Sequence, residues 1–246
     1  GAAVLMAWWS RSARVAQPLV STVMLTRRPI LLANAATFLV GMGLYFSFLG
    51  MTDFVEAPRS AGYGFGATIL QASLLFLMPG ALSAAATTLI GGRCIERFGA
   101  RAVVAGGGLV GVVGFLMLAG WHEARWEVMV AGVLTNAYIS LAYGALPALI
   151  VSEVDNSDTA VATSLNGMFR KVGGAAAAAL VGALLTPRTG GLAAESGFTA
   201  VFVLGAATAA GSVLLVWVGR ERSAAPRLAP PILLRAPALA ATELAA

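Results

Sequence analysis

The sequence predicts an all-α fold, a polytopic membrane bundle of six transmembrane helices, and three observations support this prediction. Of the 246 residues, 59% are hydrophobic and only 11% are charged, whereas soluble domains are about 45–50% apolar and about 25% charged. The apolar residues form runs of the roughly 20 residues that a spanning helix needs. The runs are continuously apolar and do not alternate with period two, which favours helices over a transmembrane barrel.

The same composition excludes several other classes of protein. A soluble domain of this size could not bury so much apolar surface. Disordered chains combine low hydrophobicity with high charge, the opposite of this composition. The single cysteine, Cys94, excludes a disulfide-stapled secreted domain. The net charge is +5, but the basic residues lie between apolar runs. We therefore interpret them as facing anionic lipid of the bilayer and not nucleic acid.

Five uncharged runs justify five of the six helices. They cover residues 29–52, 60–92, 102–121, 128–152 and 196–219. Pro79 and Pro147 lie inside the second and fourth runs, where neighbouring helices can satisfy the carbonyls that a proline kink frees. In the third run, Gly107 and Gly111 form a G-x-x-x-G pair, which is typical of close helix packing.

The fifth span in chain order, residues 159–187, is interrupted by Arg170 and Lys171. We count it as a span because the uncharged part that follows ends after 16 residues, at Pro187, which is short for a separate span. The alternative is a span that begins near Val172, with both cations reaching the membrane interface, since charge inside a bilayer is costly. With this helix the transmembrane bundle covers residues 29–219.

The two flanking segments are expected to lie outside the bundle. Residues 1–28 are interpreted as the end of a preceding helix plus a cytoplasmic linker, because the apolar residues 1–9 are too few to span and no basic segment precedes them. We therefore expect the chain to be a fragment of a longer protein. Residues 220–246 are rich in Ala and Pro and are predicted to form a disordered cytoplasmic tail.

The distribution of basic residues predicts the orientation in the cell membrane. Eleven arginines lie in segments that would share one side of the membrane, within residues 11–28, 93–101 and 220–235. The opposite side holds only Arg59, Arg125 and Arg188. Since basic residues concentrate on the cytoplasmic side, both termini are expected in the cytoplasm, which agrees with an even number of spans.

The fifth span holds the most informative polar residues. Asn166 and Arg170 are four residues apart and share a helix face. Gly173 follows them, and Gly174, Ala178 and Gly182 repeat every four residues and form a small-residue face for helix packing. No Asp or Glu lies within any predicted span. The anionic partner of Arg170 is therefore expected in the preceding loop (Glu153, Asp155 or Asp158) or in a part of the protein outside this chain.

Polar residues in the other spans are candidates for lining a cavity. Asn136, Ser140 and Tyr143 are spaced i, i+4 and i+7 and share a face of the fourth span. Asn34 and Gln71 lie in the first and second spans. The alternative for each residue is a hydrogen bond to a neighbouring helix. We find no nucleophile–base pair, phosphate loop or metal-ligand cluster in the sequence, and predict neither an enzyme nor a bound cofactor.

The loop between the second and third spans combines a carboxylate with arginines. Gly92, Glu96, Arg97, Gly99 and Arg101 follow the pattern G-x-x-x-E-R-x-G-x-R. Such a loop can form charge-assisted hydrogen bonds to a neighbouring helix end. The alternative is an ordinary basic cytoplasmic loop.

Three stretches resemble the major facilitator superfamily, and in particular its fourteen-helix drug:proton antiporters of actinobacterial type. The loop is similar to the superfamily signature G-x-x-x-D-R-x-G-R-[RK], with Glu96 for the Asp and Ala100 for one basic residue. Residues 62–66 (GYGFG), followed by Gln71 and Pro79, resemble an equivalent segment of these antiporters. Residues 162–174 resemble their penultimate helix, A-x-x-L-N-x-x-x-R-x-x-G-G.

The resemblance covers about residues 1–222 and implies the C-terminal half of a transporter with a major facilitator fold. It implies export of hydrophobic, often cationic small molecules (multidrug efflux) by alternating access, driven by a proton gradient. The implied partner is the N-terminal half of the same transporter, and the loop would be a cytoplasmic gate latch. Two alternatives stay open: a natural half-transporter that pairs with a second copy or with a separately encoded half, and a non-transporting membrane remnant or assembly partner.

Overall fold

The computed structural model describes residues 27–155, 157–187 and 191–219. These residues form six long helices and, within the described ranges, no strand. The helices are α1 (Arg28–Glu56), α2 (Ile69–Phe98), α3 (Ala100–Gly120), α4 (Arg125–Val151), α5 (Thr159–Leu184) and α6 (Glu195–Val218). Among the described residues, five of these helices, all but α5, are long and apolar enough to cross a membrane. Nearly all of the predicted linker and the whole predicted tail (220–246) lie outside the described residues.

The bundle is organised around α1 and α4, which pack against each other. α1 also packs against α5 and α6, and α4 against α2 and α3, while α3 and α6 complete the far side. α2 rests mainly on α4 and α5 mainly on α1, so both keep exposed apolar faces, such as Leu82 and Leu89 on α2 and Met168 and Val172 on α5. The other four helices therefore form the packed body, and α2 and α5 stand on its flanks.

Glycines and hydroxyl groups set the close packing of this body. The ring of the buried Tyr138 on α4 lies against Gly111 of α3, where a side chain would leave no room. The Tyr138 hydroxyl is 3.1 Å from the Ser212 hydroxyl on α6. The hydroxyls of Ser47 on α1 and Thr135 on α4 are 3.0 Å apart. Each polar group thus finds its partner on a neighbouring helix, as burial away from water requires.

The second helix begins later than the sequence pattern predicts. Residues 60–68 were expected to be helical, but Arg59–Ala61 form a short 3₁₀ turn and α2 begins at Ile69. Gly62, Gly64 and Gly66 all have φ between 58° and 84°, a left-handed conformation that a helix cannot contain. Farther along, Ala72–Leu77 widen into a π-helical turn just before Pro79. Such a turn accommodates a proline that lacks its N–H group.

The glycine loop closes one end of the bundle with an aromatic cluster, formed by Phe54, Tyr63, Phe65, His122, Phe198 and Phe202. The Tyr63 hydroxyl donates to the Ala193 carbonyl. Burial, together with the Glu195 carboxylate, raises the pKa of the Tyr63 phenol, which therefore stays protonated and able to donate at neutral pH. His122 contacts the Leu118 carbonyl and, at 3.1 Å, the Glu195 carboxylate. These contacts connect the loop to α3 and α6.

Candidate functional site

A groove of about 660 Å³ opens between α1, α2 and α4. Cavities of about 300–1,000 Å³ suit small molecules. Its walls combine apolar and hydroxyl- or amide-bearing side chains with helix backbone at glycines. The lining includes Leu44, Thr87, Thr88, Gly91, Gly92, Ile95, Asn136, Ile139, Ser140, Leu141, Tyr143 and Gly144. The residues that line this groove carry no charged side chain.

The predicted polar face of α4 does line this groove. Asn136, Ser140 and Tyr143 are all part of its wall. Ser140 also bonds to a neighbouring helix, since its hydroxyl lies 2.7 Å from that of Thr88 and 2.8 Å from the Ala84 carbonyl of α2. Asn136 donates to the Gly132 carbonyl of its own helix. Ser140 therefore has both predicted roles: it lines the groove, and it forms a hydrogen bond to a neighbouring helix.

Asn34 and Asn166 lie elsewhere, in the contact between α1 and α5. Both are 1% exposed. The Asn166 amide donates to the Asn34 side-chain carbonyl at 3.1 Å and to the Thr37 hydroxyl at 2.6 Å. The expectation that Asn34 lines a cavity is therefore wrong for this groove, because its amide is sealed between two helices, where it connects them.

Gln71 likewise has a local role. It lies in the first turn of α2 and forms a capping box with Thr68, in which each side chain bonds the backbone N–H of the other residue at 3.2–3.3 Å. Its side chain is exposed and takes no part in the groove wall. The expectation of a cavity role placed Gln71 inside a span, whereas the helix only starts there.

Arg170 lies well inside α5, which is a continuous helix from Thr159. Eleven residues separate it from that end, or about 16 Å at 1.5 Å per residue. The helix itself therefore begins well before Arg170 and Lys171, and a membrane span that begins near Val172 stays an alternative. The guanidinium carbon lies 4.4 Å from the ring centroid of Tyr143, so the cation stacks on a wall residue of the groove. Of the acidic residues expected as partners in the preceding loop, Glu153 forms its ion pair with Arg101.

The small residues of α5 lie in two different environments. At Gly173 a Cβ would lie 2.1 Å from the Phe38 carbonyl oxygen, and at Gly174 2.5 Å from the Tyr45 ring, both on α1. These two glycines allow the backbones of α1 and α5 to approach closely. Gly182 has nothing within 4 Å of such a Cβ, and Ala178 is partly buried. Gly174 thus packs against α1 within this chain.

Only some residues of the motif in the basic loop contact other parts of the bundle. Gly99 ends α2 with φ 83°, a conformation that favours glycine. Arg101, at the start of α3, donates to the Glu153 carboxylate after α4 at 3.2 Å. Glu96 and Arg97 are exposed, and Arg97 lies over the neighbouring Phe98 ring at 5.4 Å. Gly92 lines the groove with no neighbour that would hinder a side chain.

Sequence reasoning missed Thr37 and Thr88 as cross-helix partners and Glu153 as the partner of Arg101. Threonines give a weak signal in apolar runs, because they also bond carbonyls of their own helix, as both of these do. Within the described ranges, no group of His, Cys, Asp or Glu side chains could hold a metal ion.

Comparison with known families identifies a matching family. The family model of the Major Facilitator Superfamily matches residues 33–245, which is most of the chain. A search of curated proteins finds no match.

Proposed function

The chain belongs to the Major Facilitator Superfamily, and from this premise we propose that it is one half of a proton-coupled exporter of small hydrophobic molecules, cationic drugs included. It is a multi-pass membrane protein of a transporter superfamily, not of an enzyme family. The finer assignment rests on the resemblance of its motifs to drug:proton antiporters.

The groove between α1, α2 and α4 is the observation that carries this proposal. Its volume of about 660 Å³ suits a small organic molecule, and its wall is mainly apolar with a few hydroxyl and amide groups. Such a wall can hold many hydrophobic shapes, because few of its contacts impose a direction. In alternating access this wall would face the second half across the transport path.

The proposal includes a partner and an orientation. We place this chain as the C-terminal half, paired with the N-terminal half of the same transporter. The six predicted spans contain no Asp or Glu, so the carboxylates that carry protons would belong to the other half. The end with Arg97 and Arg101 would face the cytoplasm of a cell membrane, and the loop around Glu96, Arg97 and Arg101 would act as a gate latch there.

Filling the groove tests the proposal. We expect Gly144→Leu to stop export, because Gly144 lines the groove and the four added carbons would occupy it. The native polypeptide that contains this chain is reconstituted in proteoliposomes, and accumulation of ethidium is measured under an imposed proton gradient. Collapsing the gradient with a protonophore should abolish accumulation.

The matched control is Gly106→Leu on α3. Gly106 is also an exposed helical glycine, has nothing within 4 Å of an added Cβ and lies outside the groove. It should transport like the wild type. Ethidium transport that survives Gly144→Leu undiminished would contradict the assignment of the groove.

A further inference from the structure

Arg170 is a cation without an anion in the part of the chain that the structure describes. Its guanidinium forms no ion pair or hydrogen bond there and stacks on the face of Tyr143, 4.4 Å from the ring centroid. An arginine carries five N–H donors in a planar fork that matches a carboxylate, sulfonate or phosphate. The Arg170 side chain is partly buried, so a charge there without an anionic partner is less well solvated than one at the surface.

The acidic residues nearest along the chain do not meet this need. Glu153 contacts Arg101. Asp158 precedes the first residue of α5, twelve residues before Arg170, which is about 18 Å along a helix. Asp155 lies farther back and is exposed. The anion that would complete this site is therefore not supplied by the loop between α4 and α5.

The hydroxyl groups of the groove already use their protons on helix carbonyls. Thr87 donates to the Ser83 carbonyl. The hydroxyls of Thr88 and Ser140 both contact the Ala84 carbonyl, and they also contact each other. The Tyr143 hydroxyl donates to no residue within the described ranges. Tyr143 and Arg170 thus bring unused donors together at one edge of an apolar groove.

We propose that Arg170 and Tyr143 form a receiving site for the anionic head of an amphiphile whose apolar body lies in the groove. This inference rests on the proposed transport function and specifies a substrate class for it. It also bears on cationic substrates, since Tyr143 is the aromatic side chain of the groove wall and Arg170 covers one of its faces. A cation at this edge would meet the like charge of Arg170.

The test compares three dansyl-labelled probes with the same undecyl chain: a carboxylate, its methyl ester and a trimethylammonium analogue. Binding to the native polypeptide is measured by dansyl fluorescence in phosphatidylcholine nanodiscs, with empty nanodiscs subtracted. We expect the carboxylate to bind roughly tenfold or more tightly than the ester, as a charge-assisted hydrogen bond implies. We expect the trimethylammonium probe to bind no more tightly than the ester.

Three variants test whether the preference for the carboxylate over the ester arises from Arg170 and Tyr143. Arg170→Gln should bind carboxylate and ester equally while keeping the wild-type affinity for the ester, which also reports an intact groove. Tyr143→Phe keeps the stacked ring but loses the hydroxyl, and should reduce the preference for carboxylate by a smaller factor. Lys171→Gln, which removes the neighbouring exposed cation, should keep the full preference.

Equal affinity of the wild type for carboxylate and ester would overturn the inference. So would a preference that Arg170→Gln retains or that Lys171→Gln abolishes. If the ester binds and ethidium is exported without any preference for the carboxylate, only this inference fails. If no probe binds and no ethidium is exported, the proposed function fails with it.

Phosphatidylglycerol distinguishes the source of the anion. If replacing part of the phosphatidylcholine weakens carboxylate binding in the wild type but not in Arg170→Gln, the site also takes a lipid headgroup. If the lipid has no effect while the carboxylate preference persists, the site takes soluble amphiphiles. Both results support an anion site.

Discussion

Single polar side chains in this bundle act mainly between helices. Asn166 bonds Asn34 and Thr37 across the α1–α5 contact, and Ser140 bonds Thr88 across the α2–α4 contact. Inside a membrane the alternative to such a bond is a polar group in hydrocarbon. Arg170 differs from these residues because its described contact is an aromatic face instead of a hydrogen-bond acceptor.

At the residue scale we expect Asn166→Ala to lower the free energy of unfolding by about 1–2 kcal/mol, because both hydrogen bonds disappear and the Asn34 carbonyl is left buried. The measurement is reversible unfolding in mixed micelles. Ser164→Ala is the control, since Ser164 is exposed and bonds the Ala160 carbonyl of its own helix. Equal stability of the two variants would show that the cross-helix bonds contribute nothing.

At the scale of the helices, the α1–α5 contact depends on glycines, whose lack of a side chain lets the two backbones approach. Gly41 of α1 lies where an added Cβ would be 2.2 Å from the Arg170 carbonyl oxygen, and Gly173 of α5 lies equally close to the Phe38 carbonyl. Backbone meets backbone on both sides of this crossing. The same approach brings α5 close enough for Arg170 to reach Tyr143 on α4.

At the element scale, Gly173→Ala should lower the free energy of unfolding, whereas Gly182→Ala should not. The first forces α1 and α5 apart and is expected to cost about 1–3 kcal/mol, as overpacking does. The second meets nothing within 4 Å and replaces a helix-destabilising residue, so it should be neutral or stabilising by up to about 1 kcal/mol. Thermal unfolding of both variants measures the difference. An equal loss of stability in both variants would contradict the role of Gly173 in the close approach of α1 and α5.

At the scale of the whole molecule, the ends of the helices are tied by polar contacts and the interior by packing. Arg101–Glu153 connects α3 to the end of α4, and His122–Glu195 connects the opposite end of α3 to α6. Polar contacts near the surface contribute only about 0–1 kcal/mol, so these two position the helix ends more than they stabilise the fold. A body tied at both ends suits a unit that moves as one piece in alternating access.

The proposed pairing with a second half makes a prediction about the native polypeptide. An antibody against residues 220–246 should detect, in source-cell membranes, a band of about twice the mass of this chain. Membranes from cells that lack the gene are the control for specificity. A band at the mass of this chain alone would contradict the one-chain transporter and favour a half-transporter or a remnant, and cross-linking would then identify its partner.

The sequence by itself determined the class of the molecule and the order of its helices. Apolar runs of spanning length leave the backbone few alternatives to helix in a bilayer, and five of the predicted runs coincide with described helices to within several residues. The exception, residues 60–68, shows the limit of hydropathy, because a glycine loop packed on Phe54 is as apolar as a span. The spacing of Asn136, Ser140 and Tyr143 was likewise enough to place them on one face.

The tertiary structure decided what each polar residue faces. Asn34 and Asn136 are indistinguishable in an apolar run, yet one is sealed against α5 and the other lines the groove. Arg170 lies within a helix that begins at Thr159, and the packing of that helix on α1 places its guanidinium over the Tyr143 ring of α4. The physical reason is that periodicity fixes a residue's side of its own helix, whereas its partner depends on which neighbour packs there, and in this bundle that depends on glycines that let backbones meet.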